Sequence, residues 1–130
     1  MDNYLSIADL CLSTTNVEDD EDSFVNRTYQ IASALLRGYL ASCGATITPT
    51  SSIRQLYVAV RRRHIVLPDS TSKLSVMLDK AVRDNSANKL RLTAKQRVFI
   101  LAACKQLREG YYIRTTRQFV IFDLKDTPTK

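Results

Sequence analysis

The amino-acid sequence predicts an all-α fold, a helical bundle, and three observations carry that expectation. Gly and Pro occur only three times each in 130 residues, too seldom for the turns of a sandwich or barrel, whereas the helix formers Leu, Ala, Arg and Lys are common. Apolar residues recur at three- and four-residue steps over several long windows, the signature of amphipathic helices. Finally, Val98 to Cys104 is a run of seven residues without a polar side chain. A helix apolar all round must be wrapped by others, so 94–110 is expected to be the central hydrophobic helix of a bundle of roughly five to seven.

Residues 1–22 hold seven acids, Asp2, Asp9, Glu18, Asp19, Asp20, Glu21 and Asp22, and no Lys or Arg. They are expected to form an acidic N-terminal segment, partly disordered, ahead of one helical domain over 23–130, because the chain is long enough for a single core. Ser23 is the expected cap of the first helix, with the preceding carboxylates favoured by the macrodipole. From Phe24 onward Val25, Tyr29, Ala32, Leu36 and Tyr39 make an apolar stripe that ends at Gly44, a good C-cap. After a loop with Pro49, Ser51 or Ser52 caps a second helix with Ile53, Leu56, Tyr57 and Val60 on one face, stopping by Ile65. Pro68-Asp69-Ser70 is a turn, and a third helix over about 71–84 presents Leu74, Met77, Leu78, Ala81 and Val82 before the breaker-rich DNSANK. Thr93 caps the fourth, over 94–110. The tail stays open between helix and hairpin, since QFVIFDL is rich in β-formers while Ile113, Arg117 and Val120 or Ile121 share a helical face; a final helix is preferred.

Several chemistries find no footing. Cys11, Cys43 and Cys104 are widely spaced without a CxxC pair, and His64 has no second ligand at metal spacing, so no metal and no cofactor is expected. Neither a Gly-rich phosphate loop nor GxSxG occurs, and no paired-carboxylate arrangement lies outside the acidic segment; the chain is not expected to be an enzyme. MDNYLSIADLCL lacks the basic start of a signal peptide, and no apolar run reaches the roughly 18 residues of a membrane span. A cytoplasmic protein with reduced thiols and no transmembrane anchor is the expectation, which leaves the sequon at Asn26 idle.

Charge is segregated. With seven acids in 1–22, the remaining 108 residues carry 19 bases against six acids, formally +13. Such an excess suits nucleic acid, and equally a groove that receives an acidic peptide.

Four stretches in order resemble the Bcl-2 family of apoptosis regulators, in the compact form of a divergent viral homologue from a large DNA virus. DDEDSFVNRTYQIASALLRGYL is similar to the family's first helix, and SIRQLYVAVRRRH to a helix with a Leu-Arg-Gln-like start and an arginine-rich end. Val82-Arg83-Asp84-Asn85 resembles a Phe-Arg-Asp-Gly-like tetrad, and Gln96-Arg97-Val98-Phe99-Ile100 the Gly-Arg opening of a central apolar helix. The likeness covers roughly residues 19–110. It departs from the family in lacking the Asn-Trp-Gly triplet before the central arginine and in carrying Tyr57-Val58 where a Gly-Asp pair is usual. A second register, with Arg108-Glu109-Gly110 as the tetrad and Arg114 or Arg117 as the arginine, leaves too little chain for a central helix.

The resemblance implies a Bcl-2-like bundle that sequesters the Bcl-2-homology-3 helix of pro-apoptotic host proteins, Bim-like, Bak or Bax, in a hydrophobic groove built from the second to fifth helices. By the same resemblance Arg97 would pair with the ligand's Asp, and Leu56, Val60, Leu74, Met77, Leu78 and Val98 would wall the groove. Any mitochondrial location would come through those partners, and an empty apolar groove allows a homodimer. The rival is a basic winged-helix nucleic-acid-binding protein, with 94–110 as recognition helix, GYYIRTTRQFVIF as wing, and Arg91, Lys95, Arg97, Arg114 and Arg117 on phosphates. It leaves unexplained why a recognition helix would be the most apolar element.

Overall fold

A computed structural model of the chain describes residues 2–45, 51–86 and 91–126, with side chains over 2–45, 51–84 and 91–116. Among the described residues there are five helices and no strand: α1 Asn3–Thr14, α2 Glu21–Ser42, α3 Ile53–Arg62, α4 Thr71–Ser86 and α5 Ala94–Asp126. The all-α expectation therefore holds. The loop with Pro49, the last part of DNSANK and the polar end after Asp126 lie outside the described residues, as do the side chains of Arg117, Val120 and Ile121.

Local signals start and stop the helices. Ser52 and Gln55 form a capping box on α3, the Ser52 hydroxyl accepting from Gln55 N at 3.1 Å and Gln55 Oε1 from Ser52 N at 2.8 Å. Thr93 and Gln96 repeat the arrangement on α5, at 3.1 and 2.8 Å. At the end of α2, Gly44 adopts φ +72°. Its N–H donates to Ala41 O and that of Ala45 to Leu40 O, each at 3.0 Å, a Schellman motif that needs a left-handed residue at Gly44. The α2 cap departs from expectation: Asp20 accepts from Ser23 N at 3.1 Å, which places Ser23 inside the first turn.

Two larger corrections concern tertiary placement. The centre of the bundle is α2, which packs against all four other helices, not the apolar 94–110. Ile31, Ala32, Leu35 and Leu36 are each fully buried on α2, and Ala34 and Gly38 are small enough to let neighbours approach. By contrast α5 is covered on one side only: Ile100, Ala103, Cys104, Leu107 and Tyr111 face inward while Val98 is 58% exposed. An apolar run is thus compatible with an outer helix when its outward residues are a Val and an Ala. Nor does α5 end at Gly110. It continues to Asp126, so the tail is a prolongation of the same helix and not a hairpin.

Residues 2–22 are the second: they form α1, its connection to α2 and the first two residues of α2, and α1 packs on both α2 and α5 with Ala8 fully buried. Asp2 caps α1 by accepting from Tyr4 N and Leu5 N, and its other oxygen accepts from Tyr111 Oη at 2.6 Å. Asp9 takes two bonds from Arg108, at 2.8 and 3.1 Å, and Asp19 pairs with Arg27 at 3.1 Å. Asp2, Asp9 and Asp19 thus tie the acidic segment to donors of the bundle, while Glu18, Asp20 and Asp22 are exposed to solvent.

Candidate functional site

Helices α4 and α5 run antiparallel. Ser70 Oγ donates to Gln106 Oε1 at 2.6 Å near one end, and Lys73 Nζ lies 4.7 Å from the centre of the Phe99 ring further along. Toward the other end the helices part around a cavity of about 250 Å³, lined by Met77, Lys80, Ala81 and Asp84 of α4 and by Arg91, Leu92, Thr93 and Gln96 leading into α5. Residues 77 and 81 share one face of α4 with 80 and 84 beside them, so about two turns supply both the apolar floor and the charged rim. Room of this size suits one large side chain; it falls below the roughly 300–1,000 Å³ usual for small-molecule pockets.

The electrostatics favour an anionic visitor. Lys80 and Arg91 are exposed at the rim, Asp84 is the carboxylate beside them, and the N-terminus of α5 adds the positive end of a helix dipole. Exposed Val76, at 52%, lies between Lys73 and Lys80 along α4 and extends the apolar stripe beyond the cavity. A broader cleft of about 350 Å³, more open to solvent, separates α1 from α2 and is lined by Tyr4, Ile7, Tyr29, Gln30, Ser33, Ala34 and Arg37. Its rim offers one cation, already bonded to Ser33 at 3.1 Å, so it lacks the convergent charge of the first.

The residues singled out from the sequence are not brought together as one groove. Met77 lines the cavity, half-buried. Leu56, Val60, Leu74 and Leu78 are 0–2% exposed and belong to the core, because the stripe that could wall a groove is the stripe that packs α3 and α4 on α2. Val98 is exposed on α5 but does not line the cavity.

Arg97 does grip a carboxylate, but an internal one. Its Nη2 donates to Glu21 Oε1 at 2.6 Å, and its Nη1 to the carbonyls of Val17, at 3.0 Å, and Asp19. The guanidinium also stacks 5.1 Å from the Phe24 ring centre. Glu21 completes the latch by accepting from Leu92 N at 2.9 Å. With side chains only 15% and 11% exposed, the pair is occupied in joining the α1–α2 connection to the start of α5. In this conformation the carboxylate that Arg97 holds lies 76 positions away in the same chain.

Lys80 was not singled out from the sequence, and Arg91 only as a phosphate contact. The signal that could have found them is the spacing of Met77, Lys80, Ala81 and Asp84 on one helical face, next to a basic helix entrance. No group of three or more His, Cys, Asp or Glu among the described residues could hold a metal, and Cys104 is buried with its thiol pushed up to about 12 by desolvation, inert as a nucleophile. Among the described residues no helix is long and apolar enough to cross a membrane. Compared with known protein families, curated proteins and solved structures, the chain matches none.

Proposed function

We propose that this chain is a non-catalytic binder of amphipathic helices, an anti-apoptotic Bcl-2-like protein that sequesters the Bcl-2-homology-3 helix of pro-apoptotic partners. The observation that carries the reading is the α4–α5 cavity, sized for one apolar anchor and rimmed by Lys80 and Arg91. An apolar residue of the bound helix fills the space beside Met77, Ala81 and Leu92, and an acidic residue about one turn away meets Arg91, whose planar fork can grip a carboxylate. Arg91, not Arg97, is thus assigned to the ligand. Burying a Leu-sized anchor contributes roughly 1.5–3 kcal/mol before ordering costs, so several such contacts are needed for micromolar binding.

Calorimetric titration with Bcl-2-homology-3 peptides of Bim-like, Bak and Bax type tests the proposal, with duplex DNA at physiological salt as the control. Binding should weaken about tenfold in Arg91→Ala, in keeping with loss of a rim charge pair, and more in Met77→Glu. Silence from every peptide refutes the function; binding indifferent to both substitutions refutes the site. Salt-sensitive binding of DNA alone would restore the rival, even though the residues read as its wing are helical from 111 to 126.

A further inference from the structure

Between Asp22 and Asp69 the chain has no acidic residue and six arginines, and three of these, Arg61, Arg62 and Arg63, are consecutive at the end of α3. All three are exposed, as is His64, and none forms an ion pair among the described residues. By contrast Arg108, half-buried, is held by Asp9, and Lys73 lies over Phe99. At His64 the backbone turns through φ +59° into an extended stretch. There Ile65 and Leu67 are each 6% exposed while Val66, between them, is 86% exposed, the most exposed large apolar side chain described. Two buried anchors therefore hold one Val rigidly outward beside a dense positive cluster.

From this we infer that the α3–α4 corner, Arg61 to Val66, is a docking surface for an anionic lipid bilayer. The arginines meet lipid phosphates and carboxylates, and Val66 enters the boundary between headgroups and acyl chains. A charged surface with an apolar tip suits a membrane interface, where charge attraction and shallow burial add. A nucleic-acid backbone would use the arginines but has no place for an isolated Val. The corner lies on residues other than those lining the α4–α5 cavity, so a membrane-bound chain can keep that site free.

The test is co-sedimentation of the full chain with phosphatidylcholine vesicles containing or lacking phosphatidylserine, at low and physiological salt. Binding is expected to the anionic vesicles only and to fall with salt. The triple reversal Arg61→Glu, Arg62→Glu, Arg63→Glu should lower the partition coefficient on the order of 100-fold or more, from a contribution of about tenfold or less for each base near an anionic surface. Val66→Asp should lower it roughly tenfold. A matched reversal at the exposed Arg83, Lys95 and Lys105 should have much the smaller effect. Because the chain contains no Trp, Val66→Trp gives a single reporter whose emission should shift to the blue on anionic vesicles alone. Absence of anionic-vesicle binding, equal loss in the matched reversal, or an unshifted tryptophan emission with arginine-dependent binding of duplex DNA each overturns the proposal. Thermal unfolding of every variant shows whether it is folded, and the tryptophan reporter keeps the test decisive should the triple reversal unfold.

Discussion

Replacing Arg97 by Ala separates a structural role from a ligand-binding one. The truncation removes the 2.6 Å pair with Glu21, the donors to Val17 and Asp19, and the stacking on Phe24. Glu21 keeps only the Leu92 N–H. Breaking a fully buried pair costs about 3–5 kcal/mol. With 11–15% of each side chain still wet, water recovers part of the lost solvation, and we expect about 2–3 kcal/mol. For a domain of this size each kcal/mol shifts Tm by about 3–5 °C, so the midpoint should fall by about 6–15 °C. Circular dichroism at 222 nm reads that fall. Peptide affinity, measured well below the new midpoint, should not change. A double-mutant cycle with Glu21→Ala should return a coupling of about 1–2 kcal/mol, because both singles destroy one contact. An unchanged midpoint together with lost peptide binding would refute the latch and return Arg97 to the ligand site.

Four further outcomes follow from the packing. A Cβ at Gly110 would lie 2.9 Å from Tyr39 Oη, so Gly110→Ala should lose about 1–2 kcal/mol despite its better helix propensity, and Tyr39→Phe should rescue most of the loss; urea unfolding of the pair decides. Asp79 accepts from Ile53 N at 3.2 Å and Arg54 N at 2.8 Å, capping α3 from across the bundle, and Asp79→Ala should cost about 1–2 kcal/mol in the same assay. The Thr71 hydroxyl is buried without a partner among the described residues, so Thr71→Val should be stabilising by about 1 kcal/mol, and a loss of similar size would show that the hydroxyl is bonded. Burial pushes Tyr39 and Cys104 up to about 12, from 10.0 and 9.0, and burial and then the bond to Asp2 raise Tyr111. The unfolded chain therefore loses these protons first, so the contribution of these groups should be level below about pH 9 and be lost between pH 9 and 12; a flat denaturation profile across that window refutes the assignment.

What the sequence determined by itself is local. The boxes at Ser52–Gln55 and Thr93–Gln96, the Gly44 stop and the turn at Pro68 each act over three or four residues, and the stripes Leu56–Val60 and Leu74–Leu78 need only the helical period to be recognised. Those signals place α2 to α5 within a few residues, apart from the far end of α5. α1 was not legible because a 12-residue helix with a weak apolar stripe gains its stability from α2 and α5, and its cap Asp2 is secured by Tyr111, 109 positions away. The same holds for the centre of the bundle. Seven apolar residues in α5 say how little water that helix tolerates, but small residues in α2, Ala32, Ala34 and Gly38, decide which helix four neighbours can approach. Arg97 has the residue type and helix position of a carboxylate-binding arginine, and only the tertiary structure decides whose carboxylate it holds, since Glu21 arrives beside it through the packing of α2 against α5. The helical period could show that Met77 shares a face with Lys80; that the face opens into a cavity beside Arg91 depends on how far apart α4 and α5 stand, a property of their packed neighbours and not of either segment.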